Sequence, residues 1–150
     1  MAKSKKKIAL INGPNLNRLG RRKPELYGKE TLGKIISRLE KQAAKSGFEI
    51  VSTQSQSEGI LIEAIEKAAN DCVGIIINPG AYAHTSIALR DALEDLSVPV
   101  IEVHLSNIFK REEFRRHSYV SEVARGAVVG LGALGYLLAL EALTELLRAK

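Results

Sequence analysis

A carboxylate and an imidazole stand two residues apart at Glu102 and His104, in an apolar run that begins at Val100. Side chains two apart on a β-strand lie on the same face, so these two groups can meet. A neighbouring carboxylate fixes the tautomer of an imidazole and stabilises its protonated form, which can then act as a general acid. The alternative is an ion pair at a strand end, without a catalytic role.

A tyrosine and several arginines lie in a long loop after the first apolar run, residues 8–11. This loop, residues 13–29, holds Asn15, Arg22 and Tyr27, and it far exceeds the roughly 2–6 residues of an ordinary βα connection. The Arg22 guanidinium would stabilise a tyrosinate at Tyr27, which could remove a proton next to a carbonyl. We therefore predict a mobile lid that carries the base of a β-elimination, with a histidine as the acid and with no metal or cofactor.

Further polar residues follow two other apolar runs. The run 73–78 ends at Asn78 and leads to His84, and Ser106 follows the Glu102–His104 pair. The turn at Ser106 resembles a helix entrance whose free N–H groups could hold a substrate carboxylate, although simple N-capping is the alternative. Arg111 and Arg115 are spaced i, i+4, which predicts one helical face from which both reach an anionic ligand. For Arg116 a solvated basic surface is the preferred interpretation.

Strand-like apolar runs alternate with segments of helical periodicity along the whole chain. Alternation of this kind predicts a parallel sheet covered by helices on both faces. We predict a single flavodoxin-like α/β domain over residues 1–150, with three layers and the strand order 2-1-3-4-5. Helix starts are expected at Thr31, at Ser57 and at either Thr85 or Ser86. The predicted strands are 8–11, 48–53, 73–78, 100–103 and 127–129, and the last helix is 134–148.

The basic net charge comes mostly from one end of the chain. Of the net +5, four charges belong to lysines within residues 3–7, and the remainder is close to neutral. We predict a flexible basic tail over residues 1–7, and no binding to nucleic acid, because no aromatic residues accompany the lysines. No run approaches the roughly 18 apolar residues of a membrane span. The apolar run 8–11 is too short for the apolar region of a secretion signal, so a cytoplasmic protein is expected. The single cysteine, Cys72, excludes an intramolecular disulfide and a cysteine-rich metal site.

Two other classes of function compete with an enzyme. A flavodoxin-like module could bind FMN or a signalling partner, but no aspartate ends the first or third strand, and no phosphate-binding glycine motif follows the first strand. A basic accessory protein could bind nucleic acid with a steep salt dependence. Neither alternative explains Tyr27, Glu102 and His104 together.

Several motifs in a fixed order resemble type II 3-dehydroquinate dehydratase, with similarity from about residue 8 to residue 146. The resemblance implies reversible anti-elimination of water from 3-dehydroquinate, which gives 3-dehydroshikimate through an enolate in the shikimate pathway. The segments that carry it are GPNLNRLG at 13–20, YG at 27–28, NPGA at 78–81, HTS at 84–86, EVHLSN at 102–107 and REEFRRHS at 111–118.

The resemblance also implies roles for individual residues. Tyr27 would remove the C2 proton with the help of Arg22, and a water held by Asn15 and by backbone near Pro14 and Ala81 would stabilise the enolate. His104, oriented by Glu102 and helped by Asn78, would protonate the departing C1 hydroxyl.

The remaining implied roles concern substrate binding and assembly. The amides of Leu105 and Ser106 and the Ser106 hydroxyl would bind the substrate carboxylate, and Arg111 would screen negative charge. His84 and Arg115 would bind ring hydroxyls. Asp91 would reach the site from an adjacent subunit, since the family assembles as a dodecamer, a tetramer of trimers.

Overall fold

Five parallel strands form the centre of the protein in a computed structural model that describes residues 3–149. The strand order is β2-β1-β3-β4-β5, which confirms the predicted order. Each strand lies within one or two residues of its predicted position. The strands are β1 Lys6–Asn12, β2 Phe48–Gln54, β3 Gly74–Asn78, β4 Val100–His104 and β5 Gly126–Val129.

Helices cover both faces of this sheet, as two-sided burial of the strands requires. Helices α2 and α5 bury one apolar core against one face, and α3 and α4 bury a second core against the other. Alternate residues of a strand serve the two cores: Leu10 packs with the first and Ile11 with the second. The helices are α1 Pro24–Tyr27, α2 Leu32–Lys45, α3 Glu58–Asp71, α4 Ile87–Glu94 and α5 Leu134–Arg148.

Side-chain caps begin the three helices for which a cap was predicted. The hydroxyls of Thr31 and Ser57 accept hydrogen bonds from backbone N–H groups in the first turns of α2 and α3. Ser86, and not Thr85, caps α4 by accepting from the amide of Leu89. Each cap satisfies an N–H that the helix itself leaves without a partner.

The predicted basic tail is shorter than residues 1–7. Strand β1 begins at Lys6, and Lys6 and Lys7 pair in register with Phe48 and Glu49 of β2. The prediction that these two lysines belong to a tail is therefore wrong, because backbone pairing extends past the buried residues to positions whose side chains remain in solvent. The remainder of the predicted tail, residues 3–5, lies before the strand, and residues 1–2 lie outside the described residues.

The carboxyl ends of the strands bring two long loops together. Asn12 and Asn78 are paired at the ends of β1 and β3, and the amide of Gly13 donates to the carbonyl of Asn78 over 2.8 Å. A Cβ at Gly13 would collide with the backbone carbonyl of Pro79, so the close approach of the loops requires glycine there. This contact places the loops after β1 and β3 side by side above the sheet.

Candidate active site

A cavity of about 280 Å³ opens where β1, β3 and β4 end. This is the position at which parallel α/β sheets bind ligands. Eleven of the thirteen predicted site residues line it; Glu102 and Asp91 do not. The lining consists of Pro14, Asn15, Leu16, Leu19, Arg22, Tyr27, Asn78, Gly80, Ala81, His84, His104, Leu105, Ser106, Ile108, Arg111 and Arg115.

Tyr27 ends the short helix α1 within the loop that follows β1. The guanidinium carbon of Arg22 lies 5.1 Å from the centre of the Tyr27 ring, and that of Arg111 lies 5.4 Å away. Both guanidinium groups lie within cation–π distance of the ring and place positive charge beside the phenol. Sequence reasoning predicted Arg22 next to Tyr27 but did not predict the second arginine there, since Arg111 is distant in sequence.

Glu102 and His104 form the pair that their spacing predicted. His104 Nε2 lies 2.6 Å from Glu102 Oε1 inside the protein, and the Glu102 side chain is fully buried. With Nε2–H donating to the carboxylate, Nδ1 is the ring nitrogen left to exchange a proton with a ligand in the cavity. The alternative of a surface ion pair is therefore wrong for these two residues.

Two serines complete the surroundings of the Glu102 carboxylate. The Ser118 hydroxyl donates to Oε1 over 2.5 Å, and the Ser121 hydroxyl donates to Oε2. Burial alone would raise the pKa of Glu102, but the hydrogen bonds from His104, Ser118 and Ser121 and the charge of His104 outweigh it and lower that pKa. Sequence reasoning assigned no role to either serine, although Ser118 belongs to the REEFRRHS segment.

His84 lies beside His104, with the two ring centres 6.1 Å apart and nearly parallel. Its Nδ1 donates to the carbonyl oxygen of His117 over 2.8 Å. Burial lowers the pKa of His84, and the nearby His104 and Arg115 lower it further against the opposing effect of the His117 carbonyl. His84 is therefore neutral at physiological pH, and its Nε2 can accept a hydrogen bond from a ligand hydroxyl.

A buried hydroxyl joins the ends of β1 and β3 beneath the cavity. Tyr136 of α5 donates to Asn12 Oδ1 over 2.6 Å and accepts from Asn78 Nδ2 over 2.9 Å. Asn78 Oδ1 in turn accepts from the amide of Gly80. These bonds fix which way the Asn78 amide faces. Sequence reasoning predicted Asn78 but not Tyr136, whose position in an apolar helix gave no sign of a polar contact.

The turn after β4 brings together groups that could bind an anion. Arg111 donates to the hydroxyl of Ser106 over 3.2 Å, and the neighbouring residue Leu105 also lines the cavity. Asn107 caps a 3₁₀ turn at Ile108–Lys110 through the amide of Phe109. Backbone N–H groups, a hydroxyl and a guanidinium at one place suit a carboxylate ligand.

The prediction of one helix that carries Arg111 and Arg115 is wrong. Arg111 directly follows the 3₁₀ turn Ile108–Lys110, while Arg115 belongs to a second turn, Glu113–Arg115. Arg115 pairs with Glu112 over 2.5 Å at its Nε. Both arginines nevertheless line the cavity, because the two turns fold back over it and place them there separately.

Asn15 lines the cavity next to Pro14, and Ala81 of the neighbouring loop lines it too. The Asn15 backbone is left-handed, with φ 68°, and its amide donates to Gln56 Oε1 over 2.8 Å. Asparagine tolerates this conformation better than most residues, which accounts for its position at the turn. Gln56, which holds the turn from the loop after β2, had no predicted role.

Asp91 is the predicted site residue that lies away from the cavity of its own chain. It lies on α4 with a side chain that is 63% exposed, and it contacts Arg90.

Within residues 3–149, no set of three or more histidine, cysteine, aspartate or glutamate side chains is arranged to hold a metal ion. No helix in the same part of the chain is both long and apolar enough to cross a membrane.

The fold and site together define an enzyme of acid–base chemistry. A phenol flanked by guanidinium groups and an imidazole held by a carboxylate face one small polar cavity. Such a pair can remove a proton and protonate a leaving group on the same anionic substrate.

Comparison with known proteins assigns the chain to a family within this class. A sequence model of the family described as "Dehydroquinase class II" matches residues 6–144. The chain is 54% identical over 143 residues to a 3-dehydroquinate dehydratase of Variovorax paradoxus, covering 92% of this chain and 98% of that protein. It is 52% identical over 138 residues to one of Mycobacterium tuberculosis, covering 92% and 94%. The chain belongs to the class II dehydroquinase family.

Solved structures agree with this assignment. The type II dehydroquinase of Propionibacterium acnes superposes with a TM-score of 0.90 at 44% identity, covering 96% of this chain and 99% of that one. A 3-dehydroquinate dehydratase-like protein of Bifidobacterium longum matches with a TM-score of 0.72 at 28% identity, covering 95% and 98%. The predicted resemblance to type II dehydroquinases is confirmed.

Proposed function

We propose that this chain converts 3-dehydroquinate to 3-dehydroshikimate by reversible removal of water, as a hydro-lyase of the shikimate pathway. The observation that carries the proposal is the placement of Tyr27 and His104 around one cavity, in a chain more than half identical to proteins named 3-dehydroquinate dehydratase. The individual roles below are those that the family resemblance implies, and the geometry of the cavity supports them.

Tyr27 acts as the base. Its phenolate oxygen takes the proton from C2, and the C–H electron pair moves into the enolate of the neighbouring ketone. Arg22 and Arg111, each within 5.4 Å of the ring centre, favour the phenolate that this step consumes. Removal of the proton relieves the charge on the tyrosine and transfers it to the substrate.

The wall formed by Asn15, Pro14 and Ala81 stabilises the enolate oxygen. A water molecule bound by the Asn15 side chain and by backbone groups at Pro14 and Ala81 donates a hydrogen bond to it. The left-handed turn at Asn15, held by Gln56, fixes this wall before substrate arrives.

His104 acts as the acid. As the enolate collapses, the C1–O bond breaks, and the imidazolium donates the Nδ1 proton to the departing hydroxyl, which leaves as water. Glu102 keeps the ring oriented through Nε2, at 2.6 Å. Asn78, fixed by Tyr136, offers a further N–H to the same oxygen.

Two sets of groups hold the substrate, one at its carboxylate and one at its ring hydroxyls. The Leu105 and Ser106 amides and the Ser106 hydroxyl bind its carboxylate, and Arg111 adds positive charge there. His84, neutral and with Nε2 as acceptor, binds a ring hydroxyl, and Arg115 donates to another.

Assembly completes the site. The family resemblance implies that Asp91 serves the cavity of an adjacent subunit, and its exposed position on α4, away from its own cavity, supports this role. We accordingly propose the dodecameric arrangement, a tetramer of trimers, in the cytoplasm, with residues 13–29 closing over bound substrate as a lid of a single domain.

The direct test is the ultraviolet absorbance of purified protein mixed with 3-dehydroquinate. We expect the band of the conjugated enone-carboxylate product to grow with the wild type. A flat trace from folded protein would contradict the proposed function.

A separate variant tests the role of Asp91. Asp91→Ala, which removes the carboxylate, should raise KM without changing the fold, and an unchanged KM would show that Asp91 does not belong to the site.

A further inference from the structure

The carboxylate of Glu102 is held from a distant part of the chain. Of its three hydrogen-bond donors, His104 lies on the same strand, whereas Ser118 and Ser121 follow the second 3₁₀ turn and lie 16 and 19 residues away in sequence. Neither serine lines the cavity, so neither can touch substrate. The reaction as derived assigns them no task.

The direction of these hydrogen bonds is fixed by the serines themselves. The Ser118 oxygen accepts the amide N–H of Ser121 over 3.3 Å, so its only proton is free to point at Glu102 Oε1. Ser121 occupies the other oxygen, Oε2. A carboxyl group that receives donors at both oxygens is stabilised as the anion, even when it is fully buried.

The ionised carboxylate decides what His104 can do. An anionic Glu102 accepts Nε2–H and leaves Nδ1 toward the cavity, where a proton can be transferred. If Glu102 were protonated, its own proton would be donated to Nε2, and the imidazole would remain a neutral and much weaker acid. The state of Glu102 therefore controls the acid side of the reaction.

Other charged groups around the pair do not replace the serines. His84 is stacked on His104 and is neutral, and Arg115 lies beyond it on the cavity wall. Arg116, His117 and Glu122 line an outer groove together with Ser118 and Ser121, on the side away from the cavity. Hydroxyl groups are the direct contacts on that side of the carboxylate.

We propose that Ser118 and Ser121 are positioning residues that keep Glu102 ionised and thereby keep His104 competent as the general acid. This inference rests on the proposed function for its kinetic consequence, but its structural part concerns Glu102 alone. It also gives the segment from Arg115 to Ser121 a common purpose, because the His117 carbonyl in the same segment orients His84.

The test compares Ser121→Ala, Ser118→Ala and the double variant with the wild type. The Ser121 residue is otherwise exposed, so its replacement carries little risk to folding. Difference infrared spectroscopy during acid titration detects the carbonyl stretch of protonated Glu102, and Glu102→Gln assigns that band. The midpoint of the Glu102 titration should be higher by about one pH unit in the double variant than in the wild type, which corresponds to a tenfold change in proton affinity.

Kinetics provide the second measurement. We expect kcat of the double variant to fall about tenfold, as is usual when the partner of an orienting group is lost, with KM nearly unchanged. Ser121→Thr retains the hydroxyl, so its kcat and its infrared midpoint should equal those of the wild type, in contrast to Ser121→Ala. Ser37→Ala, which removes a hydroxyl from the exposed surface of α2, is the matched control and should change neither.

Two results would overturn the inference. One is an infrared midpoint that stays at the wild-type value in Ser121→Ala and in the double variant. The other is a kcat that is as low in Ser121→Thr as in Ser121→Ala. A wild type without dehydratase activity, but with the infrared shift intact, would instead refute the proposed function and leave the role of the serines standing.

Discussion

The two halves of the site are built in different ways. The proposed acid, His104, lies at the end of a central strand, and its partner Glu102 is fully buried with three hydrogen-bond donors. The proposed base, Tyr27, lies on a four-residue helix within a long loop and is only partly buried, with two guanidinium groups beside its ring. One half is fixed by the sheet, and the other is fixed mainly by charge.

This difference indicates how stability and motion are divided. A group held by buried hydrogen bonds cannot be changed without a cost to folding, because its partners are left unsatisfied. A group on an exposed loop can be changed, and can move, at little cost to the fold. We therefore expect side-chain changes at Tyr27 to affect catalysis with little effect on stability, and side-chain changes at the strand end to affect both.

The largest catalytic effect is expected for Tyr27→Phe. Loss of the base should lower kcat about 1,000-fold, within the usual range for general acid–base catalysis, while the free energy of unfolding changes little. Absorbance kinetics and thermal denaturation measure the two quantities. A variant that retained most of the wild-type turnover would show that another group removes the proton.

His104→Ala should reduce both activity and stability. We expect kcat to fall at least 100-fold and the free energy of unfolding to fall by about 2 kcal/mol, because the buried Glu102 carboxylate loses one charged partner. His117→Ala is the matched control, since its ring is 62% exposed. If denaturant unfolding gave the two variants the same stability, the Glu102–His104 bond would contribute nothing to the fold.

Tyr136→Phe should destabilise the protein without touching substrate. The change leaves Asn12 Oδ1 and Asn78 Nδ2 without their buried partner, at a cost of about 1–3 kcal/mol in the free energy of unfolding. We also expect kcat to fall several-fold as Asn78 loses its fixed orientation. Tyr119→Phe serves as the control, and equal effects of the two changes in urea titrations would contradict this account.

The stability of the strand-end half should depend on pH. The pKa of Glu102 is lowered in the folded protein, so its contribution to stability is complete above the ordinary carboxyl pKa of about 4.3 and is lost as the pH falls through the lower folded-state pKa. In Glu102→Gln, the free energy of unfolding should therefore depend less steeply on pH below about 4.3, by up to roughly 1.4 kcal/mol per pH unit. Identical slopes for variant and wild type would contradict the lowered pKa.

The smallest effect is expected at Gly28, which follows Tyr27 with φ +90°. In Gly28→Ala the added Cβ has open space but an unfavourable backbone, which should cost about 1 kcal/mol and lower kcat several-fold by shifting Tyr27. Gly33→Ala in α2 also meets open space and should stabilise the helix by about 0.5–1 kcal/mol. Calorimetry and kinetics of this pair test whether the loop geometry matters for the base; equal kcat in both would show that it does not.

The sequence predicted what depends on local spacing. Glu102 and His104 meet because residues two apart on a strand lie on the same face. Arg22 lies near Tyr27 because both belong to one loop. The alternation of apolar runs with amphipathic helices predicted the parallel sheet, and the strand order was predicted as the commoner arrangement for a chain of this length. Each of these patterns is contained within a few tens of residues of the chain.

The sequence could not predict contacts made across the fold. The Tyr136 hydroxyl bonds to Asn12, which is 124 residues away in sequence, and to Asn78, which is 58 residues away. The pattern of an apolar helix does not indicate that its tyrosine makes polar contacts. Lys6 joins β1 through its backbone alone, which leaves no side-chain pattern. Arg111 and Arg115 have helical spacing but share no helix, because the turn that begins after the Asn107 cap ends at Lys110, and Arg115 belongs to a separate turn, Glu113–Arg115.

The assignment of base and acid is tested most directly by hydrogen exchange at C2 of 3-dehydroquinate in heavy water, followed by NMR. His104→Ala retains Tyr27, so it should incorporate deuterium at C2 faster than it forms the enone, whereas Tyr27→Phe should do neither above the rate without enzyme. Exchange by Tyr27→Phe at the wild-type rate, or its absence in folded His104→Ala, would contradict a loop tyrosine as the base and a strand-end histidine as the acid.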